Sequence, residues 1–190
     1  MNKNNTLILG ITGASGALGA KLLLEKSPWP VELIVSQWGK DVYKRENNSF
    51  SALKKTAAIV HDNLNLGASV ASGSLPTAGM VILPCSVNTL GKIAAGLADN
   101  LITRAAHCHL KEKRPLVLCL RESPLSLINL ENATRLTAAG AIVMPLCPPF
   151  YMFGDSDPQK VSLYNLMEAF VDRILEILGH SANRNWGDLA

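Results

Sequence analysis

The sequence predicts an α/β fold, a parallel sheet with helices packed on both of its faces, and three observations carry that prediction. Continuous apolar runs such as Leu7-Ile8-Leu9 and Leu116-Val117-Leu118 alternate with segments of helical periodicity. Strands that are apolar on both sides are buried on both sides, as in the parallel sheets of α/β proteins. The first run ends in a tight turn, Gly13-Ala14-Ser15-Gly16, and a helical pattern follows at once. At 190 residues with a hydrophobic fraction of 48%, the whole length, 1–190, is expected to form one domain with a sizeable core and a tail over about 180–190.

The elements follow in order. Strand one is expected over 6–11 and the first helix over 17–25. Pro28-Trp29-Pro30 breaks the chain before a second strand, 31–35. A helix is expected over 41–45, with Glu46 at its end. Residues 47–74 are polar and mixed, with a short strand at 57–60. A buried strand over 80–83 runs into Pro84-Cys85-Ser86, and helices follow over 88–96 and 99–111. Pro115 opens a strand over 116–120 that ends at Arg121-Glu122. A helix over 129–139 is closed by Gly140, and a last strand covers 141–144. Beyond the Pro-rich stretch 145–151, a long amphipathic helix over 161–178 stops at Gly179.

Composition excludes several classes. A net charge of +3 without a basic, aromatic-interleaved stripe argues against nucleic acid. No apolar run reaches about 18 residues, and the chain leads straight into a strand, so the reading is cytoplasmic with no membrane contact. The four cysteines show no C-x-x-C spacing, so neither disulfides nor zinc are expected, and Cys85 reads as a small buried hydrophobe. His107-Cys108-His109 resembles a metal cluster, but residues i and i+2 on a helix face different ways. A charged fraction of 17% points to apolar surface buried between subunits.

Ligands of parallel-sheet folds bind at the carboxyl ends of the strands. The polar residues fall there: Thr12 to Gly16, Ser36, Cys85 to Thr89, and Arg121-Glu122. Unpaired N–H groups and the helix dipole make the glycine turn a seat for a phosphate. Gly10 stands three residues before Gly13, and no acid ends the second strand, so the turn is not a dinucleotide fingerprint. Ser36, Ser86 and Thr89 are neutral groups suited to a ribityl phosphate and a ring edge. No histidine is expected at a strand end, which removes support for a Ser–His–Asp hydrolase. The cations Arg104, Lys111, Arg121 and Arg173, with Tyr151, suit a second small anion, most naturally another phosphate. Lys111-Glu112-Lys113-Arg114 otherwise reads as a mostly solvated helix end, and Glu46 and Glu122 are candidate proton-transfer groups.

Taken in order, Thr12-Gly13-Ala14-Ser15-Gly16, Ala71-Ser72-Gly73-Ser74, Pro84-Cys85-Ser86-Val87-Asn88-Thr89-Leu90, Asp99-Asn100-Leu101-Ile102-Thr103-Arg104-Ala105-Ala106, Leu110-Lys111-Glu112-Lys113-Arg114-Pro115 and Arg121-Glu122-Ser123-Pro124-Leu125 resemble the UbiX/Pad-type flavin prenyltransferases. The resemblance continues through Gly140 to Pro145, Phe150-Tyr151, Arg173 and Trp186. It implies a three-layer Rossmann-like (flavodoxin-like) FMN-binding homo-oligomer, a dodecamer in well-known members. The implied reaction joins a dimethylallyl group from dimethylallyl phosphate to N5 and C6 of reduced FMN, without a metal. The prenylated FMN then serves a UbiD-type decarboxylase.

Carried over by motif, the FMN contacts are Gly13, Ala14, Ser15, Ser36, Ser86, Val87, Thr89 and Arg121. The prenyl-phosphate contacts are Arg104, Lys111, Arg121, Tyr151 and Arg173, and Ser15, Glu46 and Glu122 handle protons and the leaving group. The loop after Tyr151 departs from the family, with Met152-Phe153-Gly154 where many members have a His and a nearby Pro. Two other readings accommodate part of the pattern. A flavin-dependent cysteine decarboxylase shares the Pro84-to-Thr89 segment but requires a catalytic His at the flavin. A non-catalytic FMN-binding partner of an aromatic-acid decarboxylase would need no prenyl-phosphate set.

Overall fold

In the computed structural model, residues 6–47, 49–148 and 158–181 are described. Six strands, β1 (Thr6–Ile11), β2 (Val31–Val35), β3 (Ile59–Asp62), β4 (Thr77–Cys85), β5 (Leu116–Leu120) and β6 (Ile142–Pro145), form one sheet in the order β3-β2-β1-β4-β5-β6. Every pairing is parallel. The chain starts at the centre, winds outward to β3, returns beside β1 as β4 and winds out the other way. The direction of winding therefore switches between β1 and β4, where open α/β sheets leave a crevice.

Successive residues of a strand face opposite sides of the sheet, and here both sides are covered. Leu7, Leu9 and Ile11 of β1 pack with Leu33, Val81 and Val117 against α1 (Ala17–Lys26) and α7 (Leu163–Ile177). α2 (Gln37–Asn47) and α3 (Phe50–Thr56) complete this layer through the buried Tyr43 and Leu53. Ile8, Ile34, Met80, Ile82 and Leu118 face the other way, onto α4 (Val87–Ala94), α5 (Leu101–Lys111) and α6 (Leu127–Ala138). This explains the unbroken apolar runs. The three-layer Rossmann-like architecture is as expected.

The structure departs from the predicted elements mainly in the region 37–77. α2 begins four residues earlier than expected and takes in Glu46. α3 was not legible, because its seven residues bury only Leu53. It forms on a cap from Ser49 Oγ, which accepts from Ala52 N at 3.3 Å, and on an edge-on contact of Phe50 with Tyr43 at 6.0 Å between ring centroids. A helix this short depends on such tertiary contacts. β3 lies two residues later than predicted, as an edge strand with Ile59 and Val60 exposed, and His61 stands within it. The expectation of no histidine near a strand end is thus corrected. His61 Nε2 lies 2.7 Å from the buried Glu32 carboxylate, away from the crevice.

His109, 1% exposed, is the most tightly enclosed titratable ring among the described residues. Its Nδ1 lies 2.8 Å from Ala105 O, so that nitrogen carries the proton. Nε2 then accepts from the Thr77 hydroxyl at 2.9 Å. Burial pushes the His109 pKa below its ordinary value, and the Arg114 charge adds to the effect. The unfolded chain therefore binds the proton more readily than the folded one. Stability from this site is complete above the unfolded value of 6.5 and is lost as pH falls from there through the lower folded value. Urea unfolding from pH 8 to pH 5 should show falling stability on the acid side, and His109→Gln should flatten that fall; equal slopes in the two proteins would exclude His109 as its source.

Candidate functional site

A cavity of about 800 Å³ opens at the carboxyl ends of the strands, on the β1–β4 switch. That size lies within the range of cofactor sites, about 300–1,000 Å³. Thr12, 2% exposed, closes its floor. The Thr12 hydroxyl donates to Pro84 O at 2.8 Å and accepts from Ser86 N at 2.8 Å. Its own N–H reaches the same carbonyl at 3.2 Å. One residue after β1 thus sets where β4 ends and α4 begins.

Four helices begin around the cavity, and their first N–H groups are used differently. At α5, Asn63 accepts from Leu101 N and Ile102 N through its carbonyl and side-chain oxygens, and Asn100 Oδ1 takes Thr103 N. At α1, the Glu46 carboxylate accepts from Gly16 N at 3.0 Å and from Ala17 N at 2.8 Å. The predicted phosphate seat at the glycine turn is therefore filled by the chain's own carboxylate. Glu46 is not among the residues that line the cavity. At α2 and α4 the pattern is more open. Ser36 Oγ accepts from Gly39 N and Ser86 Oγ from Thr89 N. Among the described residues, no acceptor meets the N–H groups of Gln37, Trp38, Val87 or Asn88. These two helix starts, each with a serine hydroxyl, are the anion seats the structure leaves available.

The glycines of the turn serve different ends. Gly16 has φ 106°, the left-handed region that suits glycine. Gly13 provides close approach, since a Cβ there would lie 2.6 Å from the Trp38 Cβ.

The residues expected to contact FMN, namely Gly13, Ala14, Ser15, Ser36, Ser86, Val87, Thr89 and Arg121, all line the cavity, and so does Glu122. The Arg121 backbone N–H is held by Cys85 O at 3.0 Å, and its guanidinium makes no ion pair among the described residues. Glu122 accepts from Ser123 N at 3.0 Å. Open N–H groups, hydroxyls and a free guanidinium in one cavity match the donor set a flavin phosphate and ring edge require. Cys85 is fully buried and its thiol is pushed up to about 12 by burial, consistent with a packing role.

The cations predicted to share one anion do not meet within the chain. Arg104 Nε donates to Ala71 O at 3.0 Å. Lys111 pairs with Glu112 at the far end of α5, about 14 Å along the axis from the cavity-lining Ile102. Arg173 is exposed on α7 and pairs with Glu176 at 2.9 Å. Tyr151 and Trp186 lie outside the described residues. Arg114 is not a solvated end, since its guanidinium holds Gly73 O and Leu75 O.

Sequence reasoning missed Trp38, Asn63, Lys92 and Asn100, all of which line the cavity. Lys92 Nζ sits 2.5 Å from Asp99 Oδ2 and holds that carboxyl below its ordinary value. The i, i+7 spacing across a turn gave no periodic signal for this pair.

The flavoprotein family model matches residues 1–177. The chain is 42% identical over 175 residues to the flavin prenyltransferase UbiX of Salmonella typhimurium, covering 90% of this chain and 89% of that one. Among solved structures it is similar to AnUbiX (PadA1) in complex with FMN and dimethylallyl pyrophosphate. There the TM-score is 0.85 and the identity 34%, over 96% of this chain and 98% of that one. It is also similar to a dodecameric FMN-dependent Ubix-like decarboxylase from Escherichia coli O157:H7. In that case the TM-score is 0.86 and the identity 37%, over 96% and 99% of the two chains.

Removing the Glu46 cap should loosen the start of α1 without emptying the cavity. Glu46→Ala should cost about 1 kcal/mol, lowering the melting temperature by about 2–4 °C, with FMN binding retained. An unchanged melting temperature would show that the carboxylate does not hold this turn in solution.

Proposed function

The chain belongs to the flavoprotein family and, within it, to the UbiX-type flavin prenyltransferases, and from that premise we propose that it transfers a dimethylallyl group from dimethylallyl phosphate to reduced FMN, with release of phosphate. The observation that carries this reading is the cavity at the β1–β4 switch. It holds open helix starts at α2 and α4 together with Arg121 and Glu122. Reduced FMN supplies the nucleophilic N5 and C6 that take the prenyl group.

The protein's part is positioning and charge. The N–H groups of Val87 and Asn88, with the hydroxyls of Ser36, Ser86 and Thr89, are suited to the cofactor phosphate. Gly13, Ala14 and Ser15 lie along the same wall and carry the ring edge. Arg121 faces the developing phosphate charge, where a fixed cation stabilises bond breaking most. Ser15 and Glu122 hold or move a proton at the reacting edge. Glu46 holds the turn next to Ser15 through Gly16 N and Ala17 N, and from there we assign it a part in proton transfer with Ser15 and Glu122.

We assign Arg104, Lys111, Tyr151 and Arg173 to the prenyl phosphate across subunit boundaries, in a homo-oligomer that we take to be a dodecamer. The likeness to a dodecameric relative and the exposed Leu127 and Ile128, at 70% and 67%, support that assembly. The product is assigned to a UbiD-type decarboxylase. The four cysteines are free, which suits a reducing cytoplasm, and no helix among the described residues is long and apolar enough to cross a membrane. Cysteine decarboxylation would require a histidine at the flavin, and none lines the cavity among the described residues.

Purified protein incubated anaerobically with reduced FMN and dimethylallyl phosphate, and separately with the pyrophosphate, should yield a flavin heavier by one isoprene unit. FMN binding without an adduct from either donor would point to the carrier reading, and a decarboxylated cysteinyl peptide to the other enzyme. Glu122→Gln should bind FMN normally and slow transfer by about 10²-fold; an unchanged rate removes its proton-transfer role. Co-expressed Arg121→Ala and Lys111→Ala chains should form mixed oligomers more active than either alone, and no recovery would mean that each chain supplies its own set.

A further inference from the structure

Trp38 is 73% exposed, yet it lines the cavity from the first turn of α2. It is the one aromatic side chain among the described lining residues, most of which are small or polar. Its base is fixed with care for an exposed residue. Its Cβ occupies the space that a side chain at Gly13 would need, and a Cβ on Gly39 would stand 2.5 Å from Ile11 O. Ser36 Oγ accepts from Gly39 N at 3.0 Å, which locks the same turn from the other side. Two close glycine contacts and one cap therefore hold α2 against the end of β1 and place the indole beside the Gly13–Ser15 turn.

An indole left in water keeps a large apolar face hydrated, and a flat heteroaromatic partner relieves that. A flavin ring is polar along its edges and apolar on its faces. Ser15, Arg121 and Glu122 serve edges; of the remaining lining groups only Trp38 offers a plane of matching size. We infer that the Trp38 indole is the wall on which the flavin ring packs, and that it sets flavin affinity and keeps water from that face. This rests on the FMN reading above.

The test is titration of oxidised FMN into wild type, Trp38→Ala and Trp38→Phe, reading the dissociation constant, the residual flavin emission of the complex and the oligomer mass by light scattering. Flavin emission is the signal because Trp29 also emits. Trp38→Ala should bind FMN about tenfold more weakly or worse, and its bound flavin should be brighter, because an indole in contact with the ring quenches it. Trp38→Phe should stay within about threefold of wild-type affinity yet lose most of the quenching, which separates stacking from a folding defect. Unchanged affinity and emission in Trp38→Ala would overturn the inference. So would a fall in oligomer mass with flavin emission unaltered, which would assign Trp38 to contact between copies. Wild type that does not bind FMN would overturn the FMN reading as well.

Discussion

The hydroxyl of Thr12 joins the two halves of this protein at their seam. It follows β1, beside β4, at the one place where the winding of the sheet reverses, and from the first half it satisfies a carbonyl and an N–H at the end of β4 in the second. Buried polar groups left without partners cost about 1–3 kcal/mol each, so the carbonyl of Pro84 and the N–H of Ser86 are held to a single arrangement. The rest of the cavity inherits it. α4 starts where Thr12 puts it, so the Ser86 cap, the open N–H groups behind it and the Thr89 side chain all face the crevice. Arg121 is then tied to the same seam through Cys85 O.

Around that seam the helix starts are divided between those the protein fills itself and those it leaves open. α1 is filled by Glu46 and α5 by Asn63, groups that come from distant stretches of chain, with α5's own cap Asn100 taking the third N–H. α2 and α4 are capped by their own serines, which serve the third N–H and leave the first two free. The result is a directional cavity, receptive to an anion at α2 and α4 and closed to one at α1.

The cations tell the other half of the story. Arg121 alone among the predicted set stands in the cavity, while Arg104, Lys111 and Arg173 are spread over two helices on opposite faces of the sheet. Within one subunit the cavity thus gathers the open helix starts and one guanidinium, and the other three cations stand outside it. The start of α6, close to Arg121 and Glu122 in the chain, leaves Leu127 and Ile128 exposed.

Much of this was legible from residues alone. Apolar runs buried on both sides dictate a parallel sheet, since only helices on both faces can cover them, and β1, β2 and β5 fall where the runs predict. Polar residues at strand ends marked the rim, because a covered sheet has no other place for them, and most of those residues line the cavity. The order of motifs carried the family. What local pattern could not convey was any partnership across the fold. The Glu46 carboxylate reaches the glycine turn from thirty residues away, so the sequence showed a phosphate seat and the structure shows it taken. α3 stands on Tyr43 and a serine cap, with too little periodicity of its own to announce it. Lys111 shares a helix with the cavity's edge but lies at its other end, a separation that residue type does not encode. Sequence determined the layers and the chemistry of the rim, because burial and periodicity are local. Only tertiary structure decided which donors remain free, because a hydrogen bond is settled by whichever acceptor arrives in space.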